Sequence, residues 1–398
     1  MNYPDSQWER IMKIQDVFVR AYNDKLTWKD AAMILKVDER TIRRWKQTVE
    51  QNGYEGLLDR RTLRPSPKKA SQTICQQVLK LYRDQYRDWN VKHFHEQLAK
   101  HGISYRYTWV KNLLQGAGFV EVRHRKSKHK IRRERKPLIG MMLHIDGSTH
   151  PWIPALGNQK QDLILVADDA NTDIYYAKLV PEENTRECMI ALCHVVLTKG
   201  VFCSLYSDRG SHFFHTPQAG GKVDRTNLTQ LGRALHELKI EMIPAYSPEA
   251  RGRSERLFGT WQGRLPNELK LHGIKTIPDA NRYILETFLP NYRKLFVNDP
   301  PQKGSAFTPF RGKNLNLIFS IKELRTVASD NTVRWNNLIL QIQPSKFRFS
   351  FAKCNVTVHE LLDSSITVAY GPHIIGTFNH AGIPLTKQHK TKQLISTT

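Results

Sequence analysis

Three acidic residues stand in settings where an acid needs a reason. Asp146 closes an apolar run at 141–146 and is followed by Gly147 and Ser148. Asp208 follows a second apolar run at 201–206 and is followed by Arg209, Gly210, Ser211, His212 and Phe213. Glu255 lies in the stretch from Pro248 through Arg251, Gly252 and Ser254 to Arg256. A charge at the end of an apolar strand is costly unless it is paired or ligated, and a glycine beside it leaves room for close approach. Carboxylates are the oxygen ligands that hard divalent cations take. Two such cations about 3.5–4 Å apart can supply the nucleophile, the charge neutralisation and the in-line geometry that phosphoryl transfer needs. A strand-end Asp is ordinarily a turn former and a helical Glu ordinarily a solvated one. The ordered set of three therefore carries the reading, not any single acid. Asp168 and Asp169 compete for the first position. Asn171, Thr172 and Asp173 beside them are turn chemistry, and the pair is assigned to a hairpin.

These acids need elements to position them. Residues 141–146, 162–167, 174–180, 201–206 and 240–243 read as strands, with the second and third joined as a hairpin. Residues 183–197 and 226–238 read as helices, and 248–271 as one long helix opened by Pro248, which puts Glu255 two turns in. Strands first, then strand and helix in alternation, imply a mixed α/β sheet with helices against it, spanning 139–272. Residues 273–328 read as helical and connecting. Alternation returns at 332–335, 338–343, 355–359 and 366–370, which suggests a small β-barrel over 329–380. The tail 381–398 is polar and basic and reads as disordered.

Upstream the pattern is helical. Residues 28–35 form an apolar face with the small Ala31 and Ala32, residues 36–38 make a turn, and Asp38 is placed to cap a helix from Glu39 to Trp45. Helix, short turn and helix within 1–58 read as a helix-turn-helix. Ile42 and Trp45 face its core, while Thr41, Arg43 and Arg44 point outward as a recognition helix would toward a major groove. A Pro-rich basic linker covers 59–71. A second helix-turn-helix-like block covers 72–120, with helices near 74–86, 91–101 and 107–116 and Gly102 ending the middle one. A linker at 121–138 follows. Its stretch from Arg123 to Lys136 holds nine Lys or Arg against one acid, among them Arg125, Lys126, Lys128, Lys130, Arg132 and Arg133. Such density keeps a segment extended and suits tracking of a DNA backbone.

The whole chain of 398 residues carries 61 Lys and Arg against 37 Asp and Glu, a formal net charge of +24. That balance favours a polyanionic partner, nucleic acid above all, since neutralising phosphates releases counterions. There is no run of 18 apolar residues, so no membrane span is expected. Five scattered cysteines without a C-x-x-C pair argue against a disulfide framework and against a Cys-rich zinc site, and fit a reducing compartment. His93 and His95 have no paired cysteines to answer them, so no zinc is expected. His144 and His150 are placed to touch DNA beside the first acid.

The residues carry a family resemblance over nearly the whole chain. The segment 141–271 resembles an integrase or transposase catalytic core of the RNase H-like fold. That family's second acid usually sits in Asp-Asn-Gly-Ser-x-Phe, here Asp208 to Phe213. Its third usually sits in Pro-x-x-x-Gly-x-x-Glu-Arg, here Pro248 to Arg256. With His144 to Trp152 around the first acid, the chain resembles bacterial insertion-sequence DDE transposases of the ISNCY group. Two departures stand out. Arg209 replaces the usual Asn, and Glu255 follows Asp208 by 47 positions, a longer gap than retroviral-type cores have, with the excess at 216–225. The resemblance implies a multidomain chain: all-α DNA-binding modules, an RNase H-like core and a small β-barrel. It implies that Asp146, Asp208 and Glu255 hold two Mg2+ ions, with Mn2+ able to substitute. It further implies that the core cuts phosphodiesters at element ends and joins the freed 3′-OH to target DNA. The expected partners are terminal inverted repeats and target DNA, with Thr41, Arg43, Arg44, the basic linker, Arg251 and Arg256 as contacts. At least a dimer on DNA is implied, in the cytoplasm at the bacterial nucleoid and away from membranes. A non-catalytic DNA-binding regulator derived from such an enzyme is the alternative, and a nucleoid protein without sequence preference is a third reading.

Overall fold

The computed structural model describes residues 5–58, 70–122, 134–218, 221–246, 252–312, 314–346 and 348–385. It divides into two compact units, 1–81 and 82–398.

The first unit is helical: α1 (Asp5–Tyr22), α2 (Trp28–Leu35) and α3 (Glu39–Asn52). Thr27 and Asp30 form a reciprocal capping box that starts α2, and Lys36 ends it in a left-handed conformation at φ 54°. Asp38 caps α3 as expected, its carboxylate accepting from the Thr41 N–H at 2.6 Å. Ile14, Phe18, Ala32 and Ile42 form the core, and Trp45 packs on it. Arg43 and Arg44 are exposed and Thr41 is half-buried. The helix α4 (Gln72–Asp84) follows.

The second unit opens with α5 (Val91–Leu98) and α6 (Tyr107–Gly116). Gly102 closes the α5 turn at φ 70°, the left-handed position that favours glycine. The α/β core follows, with β1 (Met142–His150), β2 (Gln161–Asp168), β3 (Ile174–Val180), α7 (Thr185–Thr198), β4 (Ser204–Ser207), α8 (Gln230–Glu237) and β5 (Glu241–Pro244). The sheet order is β3-β2-β1-β4-β5. The first three strands are antiparallel neighbours, whereas β1–β4 and β4–β5 are parallel, so the sheet is mixed as expected. One face packs on α7 and α8 through Leu143, Ile145, Leu192 and Leu235. The other packs on the helices that follow, through Leu163, Leu165, Phe258 and Trp261.

Four expectations change. The helix foreseen over 248–271 is two, α9 (Gly252–Gln262) and α10 (Leu265–Leu271). Gly263 breaks it, and Pro266 suits the first turn of a new helix but not an interior. Glu255 consequently stands in the first turn of α9. After α11 (Ile277–Tyr283), a π-helical turn at Ile284–Phe288, α12 (Leu289–Phe296) and α13 (Leu315–Ile318), the region read as connecting holds a strand, β6 (Ile321–Thr326). The C-terminal strands β7 (Thr332–Trp335), β8 (Leu338–Gln341), β9 (Asn355–Glu360), β10 (Ile366–Tyr370) and β11 (His373–Phe378) do not close a barrel. They form an open antiparallel sheet of order β11-β10-β9-β6 and a separate β7–β8 hairpin. One core of Val333, Trp335, Leu340, Val356, Val358 and Val368 is shared between them, so packing of faces has replaced closure of edges. Within the tail expected from 381, residues 381–385 still bond to β11, with the Leu385 N–H donating to Thr377 O at 2.8 Å, and 386–398 lie outside the described residues.

Candidate active site

Parallel pairing of β1 with β4 places His144 opposite Tyr206. Two residues further along each chain stand Asp146 and Asp208, so the register of neighbouring strands brings these two acids to the same end of the sheet. Asp146 is buried and Asp208 half-buried. The Asp208 carboxylate accepts from the Gly210 N–H at 2.9 Å, which fixes the turn after β4. Glu255, Phe258 and Gln262 share one face of α9 at helical spacing. Together with Asp146 and Asp208 they line a single open cavity of about 650 Å³. Gln262 donates to Ser148 Oγ at 3.1 Å and so ties the far end of α9 to β1. Glu255 itself is exposed. The three acids singled out from the sequence therefore come from two strands and one helix and meet in one place. An all-oxygen donor set open to water suits a hard cation such as Mg2+.

Both departures from the family pattern have a local account. The Arg209 guanidinium lies 5.2 Å from the centre of the Tyr246 ring and donates to the Gly221 carbonyl at 2.7 Å. It thereby pins the longer loop to the cavity wall, work an Asn side chain is too short to do. The base of that loop is bridged by a hydrogen bond from the Asp224 N–H to His215 O at 2.8 Å.

Several polar residues around the cavity were not singled out by the sequence reading, or were given another role. Asp168 and Asp169 do shape a turn, the Asp168 N–H donating to Asp173 O at 2.8 Å. Both side chains are nonetheless buried and fully engaged. Asp168 accepts from the Gly140 and Ala170 N–H groups and from the Tyr175 hydroxyl. Burial pushes its pKa up, against those hydrogen bonds. Asp169 is bonded by His144, by the Arg253 guanidinium and by the Lys136 N–H. Burial opposes its ionisation too, but these donors outweigh burial and hold its carboxyl well below the usual range. His144, expected to face DNA, is turned inward onto Asp169 at 2.8 Å. His150 is half-buried beside the Trp152 ring. Burial and the nearby Lys160 lower its pKa.

A further cluster lies behind the cavity wall. Glu183 Oε1 is 3.1 Å from His212 Nε2 and accepts from the Cys188 thiol at 3.4 Å. The donor atoms of these three lie within 4.8 Å of one another. Their hydrogen bonds to each other account for the arrangement without an ion. Burial, with Glu183 and Asp208 nearby, keeps the Cys188 thiol protonated far above its ordinary range. A Cβ on Gly147 would overlap the Glu183 carboxylate, and one on Gly210 would come within 3.1 Å of the His212 ring. The two glycines beside Asp146 and Asp208 thus leave the space that Glu183 and His212 fill.

Among the cationic residues expected to meet DNA, Arg43, Arg44 and Arg256 are exposed. Arg125, Lys126, Lys128, Lys130, Arg132, Arg133 and Arg251 lie outside the described residues, as does Pro248. Arg135, at the end of the basic linker, has its pKa lowered by burial and by Arg253 and Arg256, which marks a local concentration of positive charge near α9. His93 is a packing residue, buried, stacked on Trp89 and 2.8 Å from Glu268. Among the described residues no helix is long and apolar enough to cross a membrane.

Residues 18–66 match a family model described as a helix-turn-helix domain. Over most of its length the chain is similar to transposases. It is 25% identical over 368 residues to a putative transposase, y4bF, of Sinorhizobium fredii strain NGR234, covering 92% of this chain and 80% of that one. It is 27% identical over 349 residues to the transposase for insertion sequence IS1202 of Streptococcus pneumoniae, covering 79% of this chain and 74% of that one. Among solved structures, a simian T-cell lymphotropic virus intasome in complex with a PP2A regulatory subunit shows a loose likeness, with a TM-score of 0.34 at 14% identity over 70% of this chain and 93% of that one. The HTLV-2 integrase catalytic core domain in complex with magnesium shows another, with a TM-score of 0.28 at 14% identity over 38% of this chain and 88% of that one. The likeness of this chain to transposases is one of sequence.

Proposed function

We propose that this protein is a DNA transposase of the DDE type. The observation that carries the reading is the convergence of Asp146, Asp208 and Glu255, from β1, the end of β4 and α9, on one solvent-open cavity. Similarity to two transposases and the helix-turn-helix match support it. In this reading α3 presents Thr41, Arg43 and Arg44 to the major groove of terminal repeats, while the basic linker tracks the DNA backbone.

The three carboxylates would hold two Mg2+ ions, or Mn2+ in their place, which when bound supply a deprotonated nucleophile and neutralise charge on the reacting phosphate. Asp146 is fixed within β1 and Asp208 by the turn that follows β4, so their oxygens need little reorganisation. Glu255 completes the set from the opposite layer. Arg256, exposed beside Glu255, places positive charge where a phosphate backbone would enter. The reaction has two parts: hydrolysis of a phosphodiester at the element end, then attack of the freed 3′-OH on a target phosphodiester. Each bond formed in the second part replaces one broken, so no ATP is needed. Cutting two ends takes two active sites, which requires at least a dimer on DNA.

The test is a supercoiled plasmid carrying the DNA that flanks the gene, incubated with Mg2+. Wild type should nick and join it. Asp146→Asn, Asp208→Asn and Glu255→Gln should each lose nicking by a hundredfold or more while keeping DNA binding by gel shift. If wild type binds but never nicks or joins, the protein is a regulator and the enzymatic reading falls. Equal binding to mixed-sequence competitor DNA would point instead to a nucleoid protein.

A further inference from the structure

We propose that Asp169 is a positioning residue that holds the three carboxylate-bearing elements in register from beneath the cavity. The inference rests on the reading of Asp146, Asp208 and Glu255 as a metal-holding set, and it adds a residue that touches none of the reacting groups.

Three residues around Asp169 share a feature. His144, Tyr206 and Arg253 each stand two positions before one of the carboxylates. His144 Nε2 lies 2.8 Å from Asp169 Oδ1, and Arg253 makes an ion pair with the same oxygen. The His144 ring in turn lies 5.1 Å from the Tyr206 ring. The second oxygen, Oδ2, accepts from the Lys136 N–H at 2.8 Å, and the Asp169 N–H donates to Met142 O at 3.0 Å. One side chain, 0% exposed, thus reaches β1 and α9 directly and β4 through His144.

The energetics say why such a hub is needed. The β1–β4 ladder, which ends at His144 and Tyr206, already sets Asp146 and the turn that carries Asp208 side by side. Glu255 has no such restraint, because it sits in the first turn of a helix whose large buried anchors, Phe258 and Trp261, come later. The Arg253–Asp169 pair fastens that first turn to the end of β2. Burying a carboxylate costs several kcal/mol unless donors compensate, and here a guanidinium, an imidazole and a backbone N–H do so together. Groups that orient metal ligands from behind typically change metal affinity by about 10–100-fold when removed.

The test measures metal binding apart from DNA cleavage. Mn2+ binding to the full-length protein is followed by the EPR signal of free Mn2+, and the Mg2+ dependence of plasmid nicking is measured alongside. Asp169→Asn should weaken Mn2+ binding by about 10–100-fold and raise the Mg2+ concentration for half-maximal nicking, with partial rescue at high Mg2+. Arg253→Gln should shift both in the same direction. The double variant, which exchanges the ion pair for two amides, guards against a misfolded single variant, and circular dichroism establishes that each is folded. Folded variants with wild-type Mn2+ affinity and an unchanged Mg2+ dependence would overturn the proposal. Asp146→Asn separates the two readings. If it leaves Mn2+ binding intact, the carboxylate reading itself has failed. If it abolishes binding while Asp169→Asn does not, only the role of Asp169 is lost.

Discussion

Two glycines deserve as much notice at this site as the acids they adjoin. Gly147 has no room for a Cβ because the Glu183 carboxylate occupies that space, held there by His212 and Cys188. Gly147→Ala would displace the Glu183 carboxylate and break its contacts with His212 and Cys188. The expected outcome is at least a tenfold loss of Mg2+-dependent nicking with DNA binding kept. Wild-type nicking by Gly147→Ala would mean that the Glu183 side chain moves aside freely. At this scale the sequence was informative in part. Asp146, Asp208 and Glu255 could be singled out because each lies in a local pattern: an apolar run that leads into acid, glycine and hydroxyl for the two aspartates, and a Pro-Gly-Ser approach for Glu255. Asp146 itself stands within β1, which runs on to His150. Asp169 and Glu183 could not, because the partners that give them meaning are far along the chain. Arg253 is 84 positions from Asp169, and His212 is 29 from Glu183. Turn chemistry explained Asp169 locally, and nothing local revealed that its side chain turns inward.

The helix α9 is the element on which the site depends most. Trp261 is fully buried, with its ring centre 4.7 Å from that of Phe288. Trp261→Ala should destabilise the second unit by about 3–5 kcal/mol, read as a lower urea midpoint, and should reduce nicking further than stability alone explains. Unchanged urea unfolding would show that α9 is not held by this contact. A second prediction concerns β9. His359 is buried beside Ser320, and burial together with Lys322 and Arg233 lowers its pKa to about 4, against a hydrogen bond to the Leu317 backbone and the charge of Glu237. The folded state therefore disfavours the proton that the unfolded chain accepts near pH 6.5. Stability is whole above that value and falls as pH drops from about 6.5 toward 4, by up to roughly 3 kcal/mol. The thermal midpoint of wild type should decline across this window, and that of His359→Gln should decline less. Parallel curves would exclude His359 as the cause. Strand and helix periods were legible for most elements, and Ile174–Val180 and Tyr107–Gly116 fall where the pattern put them. The strand β6 was not, since its alternation is half polar and Leu324 is 74% exposed. Pairing partners were not legible either, which is why a spacing of short strands suggested a barrel where an open sheet and a hairpin share a core.

For the whole molecule the governing quantity is charge. With a net charge of +24, DNA affinity should fall steeply with salt, and the slope of log K against log salt counts the phosphates touched. Replacing Arg43 and Arg44 with Ala should weaken binding to the element ends by tenfold or more and flatten that slope by up to about two. The preference for end DNA over mixed-sequence DNA should narrow at the same time. Equal losses on both DNAs would make these arginines backbone contacts without a role in recognition. Composition made a polyanionic partner legible at once. It could not say which arginines lie together. Arg135, Arg253 and Arg256 are brought near one another by folding, across more than a hundred positions.

The space shared by Gly147 and Glu183 also bears on how a gene of this kind would decay. A copy that drifts to Ala at position 147 keeps every carboxylate and still reads as intact by its acidic motif. On the proposed function it would nonetheless have lost the Glu183 contacts behind its site. If the proposed function holds, the residues that would distinguish a living copy from a fossil extend beyond three acids to the two glycines and the Glu183–His212 pair beside them.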